Sequence, residues 1–406
     1  MPNDDHHPSG KFEVPASHSP VEVLRVFLKL GLVSFGGPIA HIGYFRDEFV
    51  TRRRWLDDDS YTDLVALCQF LPGPASSQVG FSIGLMRAGY LGGLAAWTGF
   101  TVPSAIALVL FAYGAHELVG PVGLGLLHGL KLVAVAIVAQ AVFGMARTLC
   151  PDRQRASIAA LAMVLILYSS SSITQIGAIL LGGVAGLFVC RTPAPFSTAP
   201  RRVPVSRRVG VASLTTFILL LVGLPVGFGS HPGVALFDAF YRSGALVFGG
   251  GHVVLPLLRD AFVSPGWVSD GTFLAGYGAA QAVPGPLFTF AAYLGAVVGT
   301  TPHGMAGAAL GLIGIFLPGM LVLVGTLPFW EALRARAGAQ AAMRGINAAV
   351  VGLLGAALYS PVWTSSVNTT GDMSVALMGF VLLTAWRARP LWVVILGALA
   401  GIALAS

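Results

Sequence analysis

The residues best suited to chemistry in this chain are helix-breaking and polar residues that interrupt two apolar runs. Gly36-Gly37-Pro38 interrupts the first run, and Pro72-Gly73-Pro74 interrupts the second. Proline lacks a backbone N–H donor and clashes with the preceding turn, and glycine costs about 1 kcal/mol relative to alanine in a helix. Inside a bilayer, such an interruption is tolerated only where the freed backbone faces protein or a polar cavity. These motifs therefore predict broken helices around a polar site.

Both interruptions occur a second time, in the same order. The block Gly31–Gly37 matches Gly244–Gly250, and the block Gln69–Pro74 matches Gln281–Pro286. Ordered matches of this kind indicate a duplicated unit. Paired interruptions at matching positions of two halves also point to the binding site of a transporter. The alternative is that each motif is only a kink that eases helix packing, which explains one motif better than four in matched pairs.

The predicted breaks leave helix N-termini inside the membrane, and these favour an anion as the ligand. A helix N-terminus offers unpaired N–H donors and about half a positive charge. Several such ends could hold a tetrahedral dianion largely with neutral dipoles, and nearby serine, histidine and glutamine side chains could add hydrogen bonds. The residues predicted to bind substrate are Gly36, Gly37, His41, Gln69, Gly73, Ser76, Ser77, Gln78, Lys131, Gly249, Gly250, His252, Gln281 and Gly285. For Ser77 and Gln78, a bond to the preceding turn is an equal alternative.

Lys131 is included because it lies near the middle of an apolar segment. A charge at that depth costs about 3 kcal/mol or more unless it is paired or faces water. We expect it to attract or gate the anion, with a structural bond to a backbone carbonyl as the alternative. Its counterpart in the second copy is Asn347, so the two halves are not equivalent.

Seven further charged residues are predicted to gate the pathway or carry a coupling proton: Lys29, Arg46, Asp47, Asp63, Asp238, Arg259 and Asp260. The adjacent Arg-Asp pairs are expected to form local salt bridges at the ends of the broken helices. The lysine lines a cytoplasmic entrance or extends to the headgroups. The other two aspartates begin predicted segments, where helix capping is the alternative to proton transfer.

Composition identifies a membrane protein. The chain has 406 residues, of which 55% are hydrophobic and only 10% charged, whereas a soluble protein carries roughly 25% charged residues. The formal net charge is +7, which we assign to basic cytoplasmic loops and an anionic ligand rather than to nucleic-acid binding. The partners expected are therefore the lipid bilayer and a small anion. The oligomeric state stays open, a homodimer included.

Neither an enzyme nor a bound cofactor is expected. The cysteines Cys68, Cys150 and Cys190 lack the spacing of metal ligands, and we expect them to be packing residues. The acidic run Asp57-Asp58-Asp59 has no second cluster to complete a metal site, so a solvated loop is the better interpretation. No nucleotide-binding loop and no nucleophile with a matching base is present in the sequence.

The elements that must position these residues are predicted to be about thirteen transmembrane helices in two inverted repeats, an all-α polytopic fold with discontinuous helices. The predicted segments are 22–45, 62–86, 90–116, 121–146, 156–172, 174–190, 209–228, 234–257, 272–298, 304–328, 340–360, 373–387 and 390–405. The first, second, eighth and ninth contain the breaks. The domain boundaries predicted are a disordered cytoplasmic tail (1–20), a first repeat (21–190), a basic linker with an extra helix (191–233) and a second repeat (234–406).

Basic loops predict the orientation. With every segment spanning, the arginines of 147–155, 191–208, 334–344 and 387–389 fall in the cytoplasm, the N-terminus is cytoplasmic and the C-terminus lies outside. The arginines at 46 and 52–54 are the exception, because this arrangement puts them outside. Treating only the first segment as re-entrant repairs that loop but sends other basic clusters outward, so thirteen spans remain the prediction.

The blocks Phe35–His41 and Gln69–Pro74, with their second copies, resemble the long two-domain form of the chromate ion transporter family. The resemblance covers about residues 20 to 405. It implies an inner-membrane antiporter of a bacterium or archaeon that expels chromate, confers chromate resistance, is coupled to the proton gradient and is inhibited by sulfate. The alternatives are a permease for sulfate or molybdate and, from another class, a membrane enzyme acting on lipid-linked substrates, which would need an acidic cluster or a metal site.

Overall fold

The computed structural model describes residues 19–115, 120–169, 172–190, 205–227, 231–248, 251–334 and 336–405. This part of the chain is helical throughout, as predicted. The helices are α1 Pro20–Val33, α2 Gly37–Arg46, α3 Asp58–Phe70, α4 Ala75–Ala115, α5 Pro121–Leu149, α6 Arg153–Tyr168, α7 Ser172–Val189, α8 Arg207–Gly227, α9 Pro232–Ala245, α10 Val254–Phe262, α11 Asp270–Ala282, α12 Phe290–Val297, α13 Gly304–Thr326, α14 Trp330–Arg334, α15 Ala337–Ala357, α16 Thr370–Thr384 and α17 Pro390–Ala405. The predicted tail lies almost wholly outside the described residues, as do most of the basic linker and both Gly249 and Gly250.

Five helices are long and apolar enough to span a bilayer by length and composition: Ala75–Gly114, Val122–Leu149, Arg207–Val226, Gly304–Phe329 and Ala337–Trp363. The longest of them, α4, is bent at Ala88 and Gly89, where the backbone leaves the helical region. The bend makes two antiparallel arms, residues 75–87 and 90–115. Gly84 and Gly92 pack across the bend so closely that a Cβ on Gly84 would lie 2.3 Å from the Gly92 carbonyl oxygen.

Helices α1 and α2 fold back on each other as hairpin 1. The rings of Phe27 and Phe45 are 5.6 Å apart, whereas residues 27 and 45 of one straight helix would be about 27 Å apart at 1.5 Å per residue. Beyond α2, the guanidinium of Arg53 lies 3.8 Å from the carboxylate of Glu22 in the first turn of α1. Both ends of hairpin 1 therefore lie on the same face of the protein, and its tip, residues 34–36, points inward.

Three further hairpins form in the same way: hairpin 2 from α3 and the first arm of α4, hairpin 3 from α9 and α10, and hairpin 4 from α11 and α12. The contacts that close them are Arg87 over the Trp55 ring at 4.8 Å, Phe240 against Phe262 at 4.4 Å, and the Tyr293 hydroxyl donating to the Thr272 carbonyl at 3.0 Å. The prediction that segments 22–45, 62–86, 234–257 and 272–298 cross the membrane was therefore wrong. Each of them is re-entrant, because side-chain contacts hold its two ends together on one face of the protein.

The two repeats enter from opposite faces. We call the face at the bases of hairpins 1 and 2 face A and the opposite face B. The second arm of α4 starts beside hairpin 2, and 26 residues of helix are about 39 Å long. At its far end, the Tyr113 hydroxyl lies beside Gly304, and Pro302 packs against Gly233 at the base of hairpin 3. The two repeats therefore have opposite orientations, as predicted, although four of the segments counted as spans are hairpins.

Helices after the hairpins exchange partners between repeats. Gly129 of α5 packs against Gly397 of α17, and the matching Gly345 of α15 packs against Gly182 of α7. A Cβ on Gly129 would lie 2.2 Å from the Gly397 carbonyl oxygen, and one on Gly345 would lie 2.0 Å from that of Gly182. Glycine is required because these helices cross with their backbones in contact. The result is one six-helix bundle, consisting of α5, α6, α7, α15, α16 and α17, to which both repeats contribute.

With four hairpins, the described part of the chain leaves nine crossing helices: the second arm of α4 and α5, α6, α7, α8, α13, α15, α16 and α17. Following them puts the described arginines at 147–155, 207–208, 336–344 and 387–389 on face A, and also the arginines at 52–54 that thirteen spans left on the wrong face. One contact supports this assignment locally: Arg344 Nη1, near the start of α15, donates to the carbonyl of Cys190 at the end of α7 at 3.2 Å. These two helix ends therefore lie on the same face. The arginines at 52–54 were the exception to the predicted orientation because the two consecutive segments 22–45 and 62–86 are both re-entrant.

Candidate functional site

The four hairpin tips meet at the centre of the protein and are joined by two equivalent hydrogen bonds. The Gly73 N–H donates to the Val247 carbonyl at 2.8 Å, and the Gly285 N–H donates to the Ser34 carbonyl at 2.9 Å. Gly73 corresponds to Gly285 in the repeat, and Ser34 corresponds to Val247. Each bond therefore joins a tip of one repeat to a tip of the other, across the plane where hairpins from opposite faces end.

The glycines at the tips are required by their backbone conformation. Gly36, Gly73 and Gly285 all have positive φ, at 101°, 116° and 102°, a region that side chains with a Cβ rarely adopt. At Gly73 the space is also filled, since a Cβ there would lie 2.8 Å from Cα of Gly319 in α13. Gln78 completes this contact by donating from Nε2 to the carbonyls of Pro72 and Gly319, both at 2.9 Å.

His41 ties hairpin 1 to hairpin 2 at the site. Its Nε2 lies 3.2 Å from the Ser34 carbonyl, and its Nδ1 lies 3.4 Å from the Ser76 hydroxyl. A carbonyl only accepts, so Nε2 carries the proton, and in the neutral ring Nδ1 accepts from Ser76. The imidazole is fully buried and its edge meets the face of Phe100, with ring centroids 5.1 Å apart. Ser76 thus positions His41, whereas the sequence predicted a direct contact with the ligand.

Several buried polar atoms around the tips have no hydrogen-bond partner among the described residues. They are Ser34 Oγ, Ser77 Oγ, Gln78 Oε1, Thr101 Oγ1 and Gln281 Nε2. An unpaired buried polar group costs about 1–3 kcal/mol, so such a concentration calls for a ligand or ordered water. Ser34 and Thr101 were missed by the sequence analysis. Ser34 belongs to the duplicated block Gly31–Gly37, and Thr101 to a weaker repeat of Gly99–Pro103 in Gly314–Pro318, and their counterparts Val247 and Phe316 are apolar.

The two repeats present different helix ends to the centre. In repeat 1, α2 and α4 begin directly after the breaks, so their first N–H groups point toward the tips. In repeat 2, short 3₁₀ turns, Gly251–Val253 and Leu287–Thr289, come first. His252 bonds through Nδ1 to the Tyr277 hydroxyl at 2.7 Å. It therefore does not join two hairpin tips as His41 does in repeat 1. Helix N-termini that begin directly at the breaks are therefore found in repeat 1 among the described residues.

Gln69 and Gln281 occupy matching positions with different surroundings. Gln69, one residue before the end of α3, is exposed, whereas Gln281 is half-buried with its Nε2 unpaired among the described residues. Gly37 lies half-buried at the start of α2 and has φ of 76°. The structure thus brings together the predicted residues Gly36, Gly37, His41, Gly73, Ser76, Ser77, Gln78 and Gly285 near the tips.

Lys131 does not lie among them. Its Nζ would be 2.9 Å from a Cβ on Gly271, in the first turn of α11 and therefore at the base of hairpin 4. Lys131 lies at the base of hairpin 4 because α5 runs along α11 and the long side chain reaches toward face B. Its role in attracting or gating the anion stays a prediction. Lys131 flanks the approach from that face and does not contact the hairpin tips.

The predicted local salt bridge was wrong for Arg46, which pairs with Asp58 at 2.8 Å rather than with Asp47. Arg259 pairs with Asp270 at 3.0 Å. These are equivalent bridges, each joining the end of one hairpin to the start of the next. The Arg46 guanidinium lowers the pKa of the exposed Asp58 carboxyl through its hydrogen bond. Asp58 is thus part of this bridge, and the run Asp57–Asp59 is exposed to solvent as predicted, although Asp58 and Asp59 begin α3 rather than lie in a loop.

Two aspartates predicted as caps lie elsewhere. The cap of α3 is Asp57, whose carboxylate accepts from Ser60 N, and Asp63 lies within the helix. Asp238 lies within α9 and pairs with Arg242 at 2.9 Å. Arg242 corresponds to Lys29 in the repeat, so each repeat carries one cation about one turn before its first tip. Sequence reasoning missed Arg242, although aligning Gly31 with Gly244 pairs it with Lys29.

The comparisons with known proteins agree with this architecture. The family model described as chromate transporter matches residues 21–187 and 234–402. The chain is 28% identical to a chromate transport protein of Pseudomonas aeruginosa over 92% of this chain and 89% of that protein. It is 26% identical to a probable chromate transport protein of Synechococcus elongatus over 96% of each. A chromate transport protein of Cupriavidus metallidurans is 24% identical over 92% of this chain and 89% of its own length.

No solved structure matches the chain. The relatives are named as transporters rather than enzymes. The family model covers both hairpin repeats and more than half of the sequence. This multi-pass membrane protein therefore belongs to the chromate transporter family.

Proposed function

We propose that this protein is a secondary transporter that exports chromate from the cytoplasm, coupled to the proton gradient, and so confers chromate resistance. The observation that carries the proposal is the meeting of four re-entrant tips at the centre, joined by the Gly73–Val247 and Gly285–Ser34 hydrogen bonds. Inverted repeats whose discontinuous helices meet at the midplane suit a site that opens alternately to the two faces. The names of the relatives supply chromate as the substrate.

The chemistry of the site supports an oxyanion. The starts of α2 and α4 offer N–H donors with partial positive charge. The hydroxyls of Ser34, Ser77 and Thr101 have donors to give, and no described group accepts from them. Neutral donors of this kind bind a dianion without a permanent ion pair, which favours release as well as binding.

Export is the direction that the charge distribution supports. Arginines concentrate on face A, so the positive-inside rule makes that face cytoplasmic and leaves the end of α17 outside, in an inner membrane. A dianion that leaves a negative-inside cell releases about 2.3 kcal/mol per charge per 100 mV. The membrane potential therefore favours export, and proton antiport would add to it.

Everted membrane vesicles containing the protein test the proposed function. We expect uptake of radiolabelled chromate several-fold above vesicles without the protein, with excess sulfate as a competitor that reduces it. Collapsing the membrane potential while keeping the pH gradient separates charge-driven from proton-linked transport. Movement of sulfate or molybdate in place of chromate would discard the substrate, and movement of no anion would overturn the transporter proposal.

The proposed orientation predicts which positions react with a membrane-impermeant thiol reagent in intact cells. In a background without the native cysteines, Asn368→Cys, on face B, should be labelled from outside. Arg54→Cys and Arg153→Cys, on face A, should react only after the membrane is opened. Labelling of residue 54 in intact cells would contradict the re-entrant arrangement, because only thirteen spans put it outside.

A further inference from the structure

The two repeats differ in how one helix of each is packed: α11 of hairpin 4 and the corresponding α3 of hairpin 2. Helix α5 of the six-helix bundle lies along α11 of hairpin 4. The closest approach is at Gly278, where a Cβ would be 2.3 Å from the Leu130 carbonyl oxygen and 3.2 Å from the Leu130 Cβ. Together with α4, α12 and α17, helix α5 buries all of residues 273–280 of α11. The approach to the tips along α11, from face B, is closed.

No described residue covers the corresponding face of α3 in hairpin 2. Only Tyr61, Leu64, Leu67 and Cys68 of α3 are buried. Thr62 and Gln69 are exposed, and they lie on the face that corresponds to Leu274 and Gln281 of α11. Because an exposed threonine and glutamine suit water better than lipid, this face forms an aqueous approach from face A to the tips.

The hydrophobic clusters show the same asymmetry. One cluster joins hairpins 3 and 4 to the six-helix bundle, for example through Val254, Tyr277 and Val350. A second cluster contains hairpins 1 and 2, with Phe27 and Leu64, and among the described residues it includes none from the bundle. The bundle therefore packs on the hairpins of repeat 2 and leaves those of repeat 1 open.

Internal symmetry identifies what covers α3 in the opposite state. Helix α15 corresponds to α5, and Ile346 corresponds to Leu130, since the flanking Gly129 and Gly345 make equivalent contacts. Ala66 of α3 corresponds to Gly278 of α11. Ala66 is small enough to admit a helix, as Gly278 does. Exchanging the conformations of the repeats would place Ile346 on Ala66 and withdraw Leu130 from Gly278.

We propose that the bundle is the moving gate: α5 on α11 closes face B, as in this structure, and α15 on α3 closes face A in the alternate state. The inference rests on the proposed transport function and specifies how the same site opens to each face. It assigns α3, from Thr62 to Gln69, as the approach used by the anion on face A. It gives Lys131 a position at the base of the gate, beside Gly271.

Cysteine cross-linking in the full-length protein tests the exchange. With Cys68, Cys150 and Cys190 replaced, the pair Ala66→Cys with Ile346→Cys reports the alternate state. The pair Lys131→Cys with Gly271→Cys reports the packing seen here. A short bifunctional thiol reagent is applied to membranes, the cross-link is read as a gel shift after proteolysis between the two positions, and each single variant is the control.

We expect both pairs to cross-link, which one fixed packing cannot do. Cross-linking at residues 66 and 346 should reduce chromate uptake at least tenfold, and cleaving a reducible linker should restore it. An actively transporting 66/346 variant that never cross-links would overturn the gate. The gel shift needs no substrate, so a protein that cross-links at both pairs but moves no anion would refute the proposed function and keep the gate.

Discussion

We expect Gly73→Ala to abolish chromate transport while the protein still reaches the membrane. At this tip the backbone has φ of 116°, where an L residue costs roughly 1–2 kcal/mol. The new Cβ would also lie 2.8 Å from Gly319 Cα. Since that atom is backbone, the tip must move, and overpacking of this kind costs about 1–3 kcal/mol. The move breaks the hydrogen bond to Val247. Uptake by everted vesicles, normalised to the amount of protein, measures the loss.

The matching change in the other repeat is predicted to be milder. A Cβ on Gly285 would meet the Ser104 hydroxyl at 2.8 Å, which can rotate away, and the Phe100 carbonyl oxygen at 3.1 Å, where a shift of a few tenths of an ångström relieves the contact. Gly89→Ala is the control, because Gly89 has a positive φ of 65° but nothing within 4 Å of a Cβ. Equal loss of transport in Gly89→Ala would mean that strain anywhere in the protein suffices, and the tips would lose their special role.

The repeated motifs predicted the breaks, but not that the chain reverses at them. A broken span and a re-entrant hairpin share the same apolar length and the same Gly-Gly or Pro-Gly-Pro interruption. The difference lies in contacts distant in sequence, such as Phe27 with Phe45 and Arg87 with Trp55. The one local signal was the arginine run at 52–54, which fits face A only if segments one and two both reverse.

The sequence predicted those parts of the site that depend on backbone conformation. It did not predict which partners the long side chains contact. Positive φ at Gly73 follows from a glycine between two prolines, and the structure has it. The position of Lys131 does not follow from its depth in α5, because the side chain extends along a neighbouring helix. The partner of Arg46 is Asp58 rather than its neighbour, since the next hairpin starts beside it.

The sequence alone also could not distinguish the roles of Ser76 and Ser77. Both follow the Pro-Gly-Pro break, and either could face an anion. The His41 ring decides between them, because its bond to the Ser34 carbonyl leaves Nδ1 to accept from Ser76. That leaves Ser77 as the hydroxyl beside the N-terminus of α4 that is buried with no partner among the described residues.

Ser77→Ala should therefore separate function from stability. Removing an unsatisfied buried hydroxyl takes away no hydrogen bond within the described protein, so thermal unfolding in detergent should be unchanged or shifted slightly upward. If the hydroxyl donates to the anion, its loss removes a bond to a charged group worth about 1.5–3 kcal/mol, or roughly 10- to 150-fold in affinity at 1.4 kcal/mol per tenfold. Chromate uptake at low concentration should fall by that factor, and saturating chromate should recover part of the rate.

Two other variants make the interpretation specific. Ser82→Ala removes another buried hydroxyl from the same helix, further from its N-terminus, and should leave uptake unchanged. Gln78→Ala removes the donor to the Pro72 and Gly319 carbonyls and should lower stability and transport together. If Ser77→Ala transports like the unmodified protein at low chromate, the hydroxyl does not bind the anion. The remaining donors would then have to hold it: the Ser34 and Thr101 hydroxyls and the backbone amides at the starts of α2 and α4, which a helix N-terminus keeps whatever side chain follows.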